Sequence, residues 1–150
     1  MSVKRGDAAG RDHPGYLLKR LSAAFRRHMD EGLRGRRSPL SMAQMGVLVS
    51  LAEEPGASGA QLARRMMISA QAISNVLRHL ERDGFILRAA HPENQRRRCW
   101  QLTARGRNAL LRAQRAAEPV LERMLGGLTG GERRQLLDLL RRCVAALESA

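Results

Sequence analysis

The chain has 150 residues and a mass of 16.7 kDa, one domain's worth of length and enough to bury a core without disulfides or a structural metal. Lys and Arg number 27 against 14 Asp and Glu, a net charge of +13 with 25 of the cations Arg, and that balance points to a polyanionic partner. Apolar β-branched residues are scarce, so a mainly β fold is excluded. With no apolar run near the ~18 residues of a spanning helix, no secretory signal and no CxxC pair, a reducing cytoplasm without membrane contact is expected.

Residues 1–13 carry Gly, Asp, Arg and Ser without an apolar pattern and read as a flexible arm. From Pro14, the residues Leu17, Leu21, Ala24, Phe25 and His28 recur at three- and four-residue spacing, which predicts a helix that fades at Gly32–Gly35 before Pro39. Ser41-Met-Ala-Gln44 is a capping box, followed by Met45, Leu48, Val49 and Ala52 as an expected buried stripe and stopped by Pro55-Gly56. A second box, Ser58-Gly-Ala-Gln61, opens a short helix with Leu62, Ala63 and Met66 inward. Ser69 caps the next helix, whose inner face is Ile73, Val76 or Leu77, and Leu80, and Gly84 ends it at the position where a left-handed residue is needed.

Two short apolar runs follow, Phe85–Arg88 and Cys99–Leu102, separated by the polar, Arg-rich stretch 91–98. They predict a β-hairpin joined by a loop longer than a tight turn. Thr103 caps a long helix with Leu110, Leu111, Ala113, Ala117, Leu121 and Leu125 as apolar candidates, and Pro119 is expected to kink or interrupt it before Gly126-Gly127. Thr129-Gly-Gly-Glu132 is a third capping box, and Leu136, Leu140, Cys143, Val144 and Leu147 mark the last helix.

The informative unit is residues 39–103: a supporting helix, two capped helices linked by a turn, and a two-stranded wing, which together make a winged helix-turn-helix. With Ile73, Leu77 and Leu80 inward, Gln71, Ser74, Asn75 and Arg78 point outward. These side chains suit base edges: Gln and Asn fit adenine, Arg fits guanine and Ser fits either. Ser69 leaves the first-turn amides and the helix dipole toward a phosphate. Arg96, Arg97 and Arg98 are the wing's DNA-contact candidates, while phosphate contact and plain solvation are evenly weighted for Arg64 and Arg65.

The chain resembles the MarR family of bacterial transcription regulators. The residues that carry the likeness are Leu40–Gln44, Gly59-Ala-Gln-Leu62-Ala63-Arg64-Arg65, Ser69-Ala-Gln-Ala-Ile73-Ser74, Leu77-Arg-His-Leu80-Glu81-Arg-Asp-Gly84, Arg96, and Leu102-Thr103-Ala-Arg-Gly106. The resemblance spans residues 14–148 in element order. It implies a mainly α fold with a small hairpin wing, in which residues 14–38 and 104–150 are dimerisation helices flanking the winged helix-turn-helix. It also implies a homodimer on double-stranded DNA at a pseudopalindromic operator, repression, release by a small-molecule effector, and a wing-tip Arg in the minor groove, here Arg96. The family wing reads Asp-Pro-x-Asp-Arg-Arg, whereas this chain has His91-Pro92-Glu93-Asn94-Gln95-Arg96, so a carboxylate brace for the wing-tip Arg becomes the neutral Asn94.

His28, Met45 and Met66 are the candidate effector-pocket residues. The alternatives are a satisfied interior His and, for Met42, Met45, Met66 and Met67, core filler. Cys99 beside Arg97 and Arg98 is weighed between a redox thiolate and a small buried hydrophobe, and Cys143 is expected in core or dimer packing. His13, His28, His79 and His91 are scattered without ligand spacing, so neither metal nor cofactor is expected, and the absence of GxSxG, P-loop and GxGxxG patterns argues against an enzyme. Two alternatives stand beside the operator-binding regulator: a sequence-independent, basic nucleic-acid-coating protein, and a degenerate winged helix that serves only protein interaction.

Overall fold

The computed structural model describes residues 10–91 and 93–149. In chain order it holds α1 (Pro14–Gly35), α2 (Met42–Glu53), α3 (Gly59–Met66), α4 (Ala70–Arg82), β1 (Ile86–His91), β2 (Asn94–Leu102), α5 (Ala104–Leu125) and α6 (Gly130–Glu148). This is a mainly α fold with one antiparallel hairpin, the winged helix-turn-helix with flanking helices.

The helix starts follow from short polar side chains. The Ser41, Ser58 and Thr129 hydroxyls each accept the amide three residues on, and Gln44, Gln61 and Glu132 reach back to the cap amides. Each such cap contributes about 1 kcal/mol by satisfying donors that the helix itself leaves orphaned. Ser69 and Thr103 cap α4 and α5 in the same way. α1 starts at His13, whose Nδ1 accepts the Gly15 amide at 3.2 Å, with Pro14 supplying the preset φ of a first helical residue. Gly84, at φ 74°, turns the chain out of α4.

One apolar core joins the elements. Val47, Leu48 and Leu51 of α2, Leu62 of α3, Ile73, Leu77 and Leu80 of α4, and Ile86 and Trp100 of the hairpin pack together. Ala109, Leu110, Ala113 and Ala116 of α5 cover them from the other side. α1 crosses α5 closely. A Cβ on Gly32 would stand 3.0 Å from Val120 Cγ2, so the small residues at this crossing set the helix separation.

Several expectations are corrected. The inward face of α2 is Val47, Leu48, Ser50 and Leu51; Ala52 is exposed, and Met45 and Val49 are half-buried. This helix is apolar nearly all round, so periodicity did not single out one face. On α1 the buried residues are Met29 and Leu33; Leu17 and Leu21 are exposed, and Ala24, Phe25 and His28 half-buried. α5 continues through Pro119, with Leu111 and Leu121 exposed. α6 buries no residue, and Cys143 is exposed, outside the core of the single chain.

Residues 10–13 form a turn in which the His13 amide donates to Gly10 O, so the end of the expected arm is tied to α1, while residues 1–9 lie outside the described residues. Met67 is exposed at a left-handed cap and fills no core. The two strands run through most of the stretch read as loop. Pairing extends from Ile86 opposite Leu102 to Ala90 opposite Arg98, then shifts so that His91 faces Asn94. The backbone of an Arg-rich segment forms a ladder as well as any other, and the composition hid this.

Candidate nucleic-acid interface

α4 is amphipathic because its apolar residues recur at three and four spacing. Ile73, Leu77 and Leu80 bury against α2 and α3, which leaves Gln71, Ser74, Asn75 and Arg78 exposed on the opposite face. Ser69 Oγ accepts the Ala72 amide at 3.1 Å, so the other first-turn amides still face outward. On the outer face Gln71 Nε2 donates to Asn75 Oδ1 at 3.4 Å, and His79 Nδ1 lies 2.7 Å from the Asn75 carbonyl oxygen. Gln71 and Asn75 are thus loosely pre-ordered as a pair of carboxamides at one end of the face.

The wing stands beside this face. Arg96, Arg97 and Arg98 are all exposed on β2. The register shift after Ala90 leaves Gln95, Arg96 and Arg97 in a bulge with no partners across the ladder. Asn94 Oδ1 accepts the Arg96 backbone amide at 3.1 Å. The brace inferred from the family pattern is therefore present in another form: the carboxamide holds the Arg96 backbone, which Asn does as well as Asp. A cleft of about 350 Å³ separates α4 from the wing, and Ser74, Arg78, Arg88 and Arg98 line it.

Sequence reasoning missed the group at the base of this cleft. Arg88 lies over the Trp100 ring, 4.7 Å from its centroid, and its Nε is 3.7 Å from Glu81 Oε1 on α4. Arg88 and Trp100 are direct cross-strand partners, a signal visible only once the hairpin register is known. The Trp100 amide donates to Ala57 O at 3.3 Å, which ties the wing to the turn before α3. At the other end Thr103 Oγ1 donates to the carbonyls of Gly84 (2.7 Å) and Phe85 (3.1 Å) and accepts the Gly106 amide at 2.9 Å. Wing, α4 and α5 thereby meet at a single side chain.

Of the evenly weighted arginines, Arg65 forms an ion pair with Glu54 at the end of α2, and Arg64 is exposed. Cys99 is buried, which places it with the small buried hydrophobes. The three candidate effector residues do not share one cavity. His28 lines a cleft of about 460 Å³ between α1 and α5, whereas Met45 and Met66 line another of about 500 Å³ between α1, α2 and the C-terminal end of α3. Phe25 borders both. Among the described residues no group of acidic, Cys or His side chains has the arrangement of a metal site, and no helix is long and apolar enough to cross a membrane.

This arrangement of a capped reading helix, an Arg-bearing wing and flanking helices defines a winged helix-turn-helix DNA-binding protein. Residues 40–97 match the model of the MarR family. The chain is 35% identical over 130 residues to the HTH-type transcriptional repressor Rv2887 of Mycobacterium tuberculosis, a match covering 85% of this chain and 91% of the relative. Among solved structures, that protein in complex with salicylic acid superposes with a TM-score of 0.72 at 33% identity, covering 91% of this chain and 98% of the other. Its complex with DNA gives 0.68 at 32% identity, covering 87% and 96%. The chain belongs to the MarR family and is a DNA-binding protein of transcription regulation.

Proposed function

We propose that this protein is a homodimeric repressor that reads a pseudopalindromic operator and is released from it by a small apolar acid. The observation that carries the reading is the exposed polar face of α4 beside the bulged, Arg-bearing wing. Gln71, Ser74, Asn75 and Arg78 read base edges in the major groove, and Ser69 positions the helix start on a phosphate. Arg96 enters the minor groove, while Arg97 and Arg98 contact phosphates. The M. tuberculosis relative crystallised with DNA supports DNA binding as the function of this face.

Residues 14–38 and 104–150 form the dimer. Their support is the apolar surface that one chain leaves in water: Leu17, Leu18 and Leu21 on α1, and Leu137, Leu140, Val144 and Leu147 on α6. The cleft bounded by Phe25, Met45 and Met66 is mostly apolar, with one cation and one anion, Arg26 and Asp30, in its lining; an aromatic ring suits it, and the salicylic acid complex of the relative supports an aromatic acid. Such a ligand acts only through its different affinities for the DNA-competent and DNA-incompetent spacings of the two reading heads.

The test is selection from random duplexes at fixed salt. The expected product is an inverted repeat with half-site centres about 10–10.5 bp apart or a multiple of that. Direct repeats contradict the two-fold reader. Recovery of no motif, with tight binding to every duplex, favours the nucleic-acid-coating protein instead.

A further inference from the structure

Four arginines line a cleft of about 420 Å³ between the segment after α1 and α5. Arg36 and Arg37 come from the segment after α1, and Arg112 and Arg115 stand one turn apart on α5. All four are exposed, and among the described residues none lies within ion-pair distance of a carboxylate. Four like charges facing one concavity repel one another, and a bound anion is what relieves that repulsion.

The backbone supports the same reading. Arg37 has φ 51°, a left-handed conformation that glycine adopts at much lower cost. The conformation is held because the Arg37 amide donates to Arg34 O at 3.0 Å and the Ser38 amide to Leu33 O at 2.8 Å, closing the end of α1. A strained arginine at a helix stop, with Gly35 only two residues away, keeps a guanidinium at the cleft at the expense of local stability.

We propose that this cleft binds a phosphate-bearing anion of two or more charges, of the pyrophosphate or nucleotide class. Planar guanidinium forks match phosphate oxygens two at a time, and four of them line this one concavity. The phosphates have two possible sources, a free small molecule or DNA backbone beyond the operator contacts. The small molecule is favoured by position. Arg112 and Arg115 lie about 12 and 16 Å along α5 from its start at the wing, given the 1.5 Å rise of a helix.

The experiment uses the full chain in 0.1 M chloride and titrates it calorimetrically with inorganic pyrophosphate and with ADP. Saturable binding, one per chain, is expected, weakened at least tenfold in Arg112→Ser/Arg115→Ser. Arg37→Gly is expected to weaken binding several-fold while keeping or raising the melting temperature, since glycine relieves the left-handed backbone, and a merely misfolded variant cannot do both. A second arm follows duplex affinity against salt. A salt slope about two units shallower in the double variant, without pyrophosphate binding, assigns the cleft's phosphates to DNA. If the wild-type chain and the variants bind pyrophosphate and ADP equally or not at all, and the salt slope is unchanged, the proposal is overturned.

Discussion

A methyl group at Gly106 has nowhere to go. A Cβ built there would stand 2.0 Å from Phe85 O, and neither backbone can retreat, because Thr103 pins both segments. Gly106→Ala is therefore expected to destabilise the fold by about 3 kcal/mol or more, read as a shift in the urea midpoint, and a change under 1 kcal/mol contradicts the close approach. Residues of the proposed reading face are expected to act on specificity instead. Asn75→Ala or Arg78→Ala is expected to cost about 1–3 kcal/mol at the operator and to relax preference at particular base pairs. Arg96→Ala is expected to weaken binding to operator and scrambled duplex alike and to lower the salt slope by about one unit, and an unaltered slope removes the wing tip from the interface. Asn94→Asp should leave these values nearly unchanged, because Asn94 already holds the Arg96 backbone. The outward residues of α4 were legible because a 3.6-residue period converts three buried positions into four exposed ones. Arg88 was not, since its partners Trp100 and Glu81 come from another strand and another helix.

Among the elements, α6 owes its start to a carboxylate. Glu132 accepts the Thr129 backbone amide at 2.7 Å and the Thr129 hydroxyl at 2.9 Å, and these bonds, the backbone one first, hold its pKa below the ordinary 4.5. A depressed carboxyl pKa stabilises the fold above the unfolded value, and that contribution is lost as pH falls through the lowered folded value. Glu132→Gln keeps a capping-box side chain that does not titrate. The melting temperature of the wild-type chain is thus expected to fall more steeply than that of Glu132→Gln between about pH 5 and pH 3, and parallel curves contradict the role of the charge. The caps of α2, α3 and α6 were readable from the Ser/Thr–Gln/Glu spacing alone, since each bond joins residues three apart. The wing's strand length was not, because the pairing of Arg98 with Ala90 and of Asn94 with His91 depends on the partner strand and not on local composition. Pro119 likewise did not end α5, and the helix that the flanking residues support outweighed the bond that proline forgoes.

At the scale of the whole molecule, the proposed homodimer rests on apolar surface that one chain leaves exposed. α6 buries nothing, while Leu137 and Val144 on it are 50% and 46% exposed, an apolar surface that water penalises unless a second copy covers it. Sedimentation at micromolar concentration is expected to give a mass near twice 16.7 kDa. Leu140→Glu, which would place a charge in the proposed contact, is expected to yield monomers with reduced helicity, because the proposed dimer couples folding of α6 to association. A fully helical monomer of the wild-type chain contradicts the dimer.

What the amino-acid order settled is local. Caps, helix stops, the two-faced pattern of α4 and the turn signals all act within one helical turn or one strand, so Ser69, Gly84 and Ile73 carried their meaning without the rest of the chain. Other properties depend on which surfaces meet. The inward face of the uniformly apolar α2, the hairpin register that sets Arg88 over Trp100, the division of His28 from Met45 and Met66 between two clefts, and the gathering of Arg36, Arg37, Arg112 and Arg115 each join residues far apart in the chain. Hydrophobic burial drives these meetings and is non-directional, so periodicity states that a face will be covered, and only the packed structure decides by what.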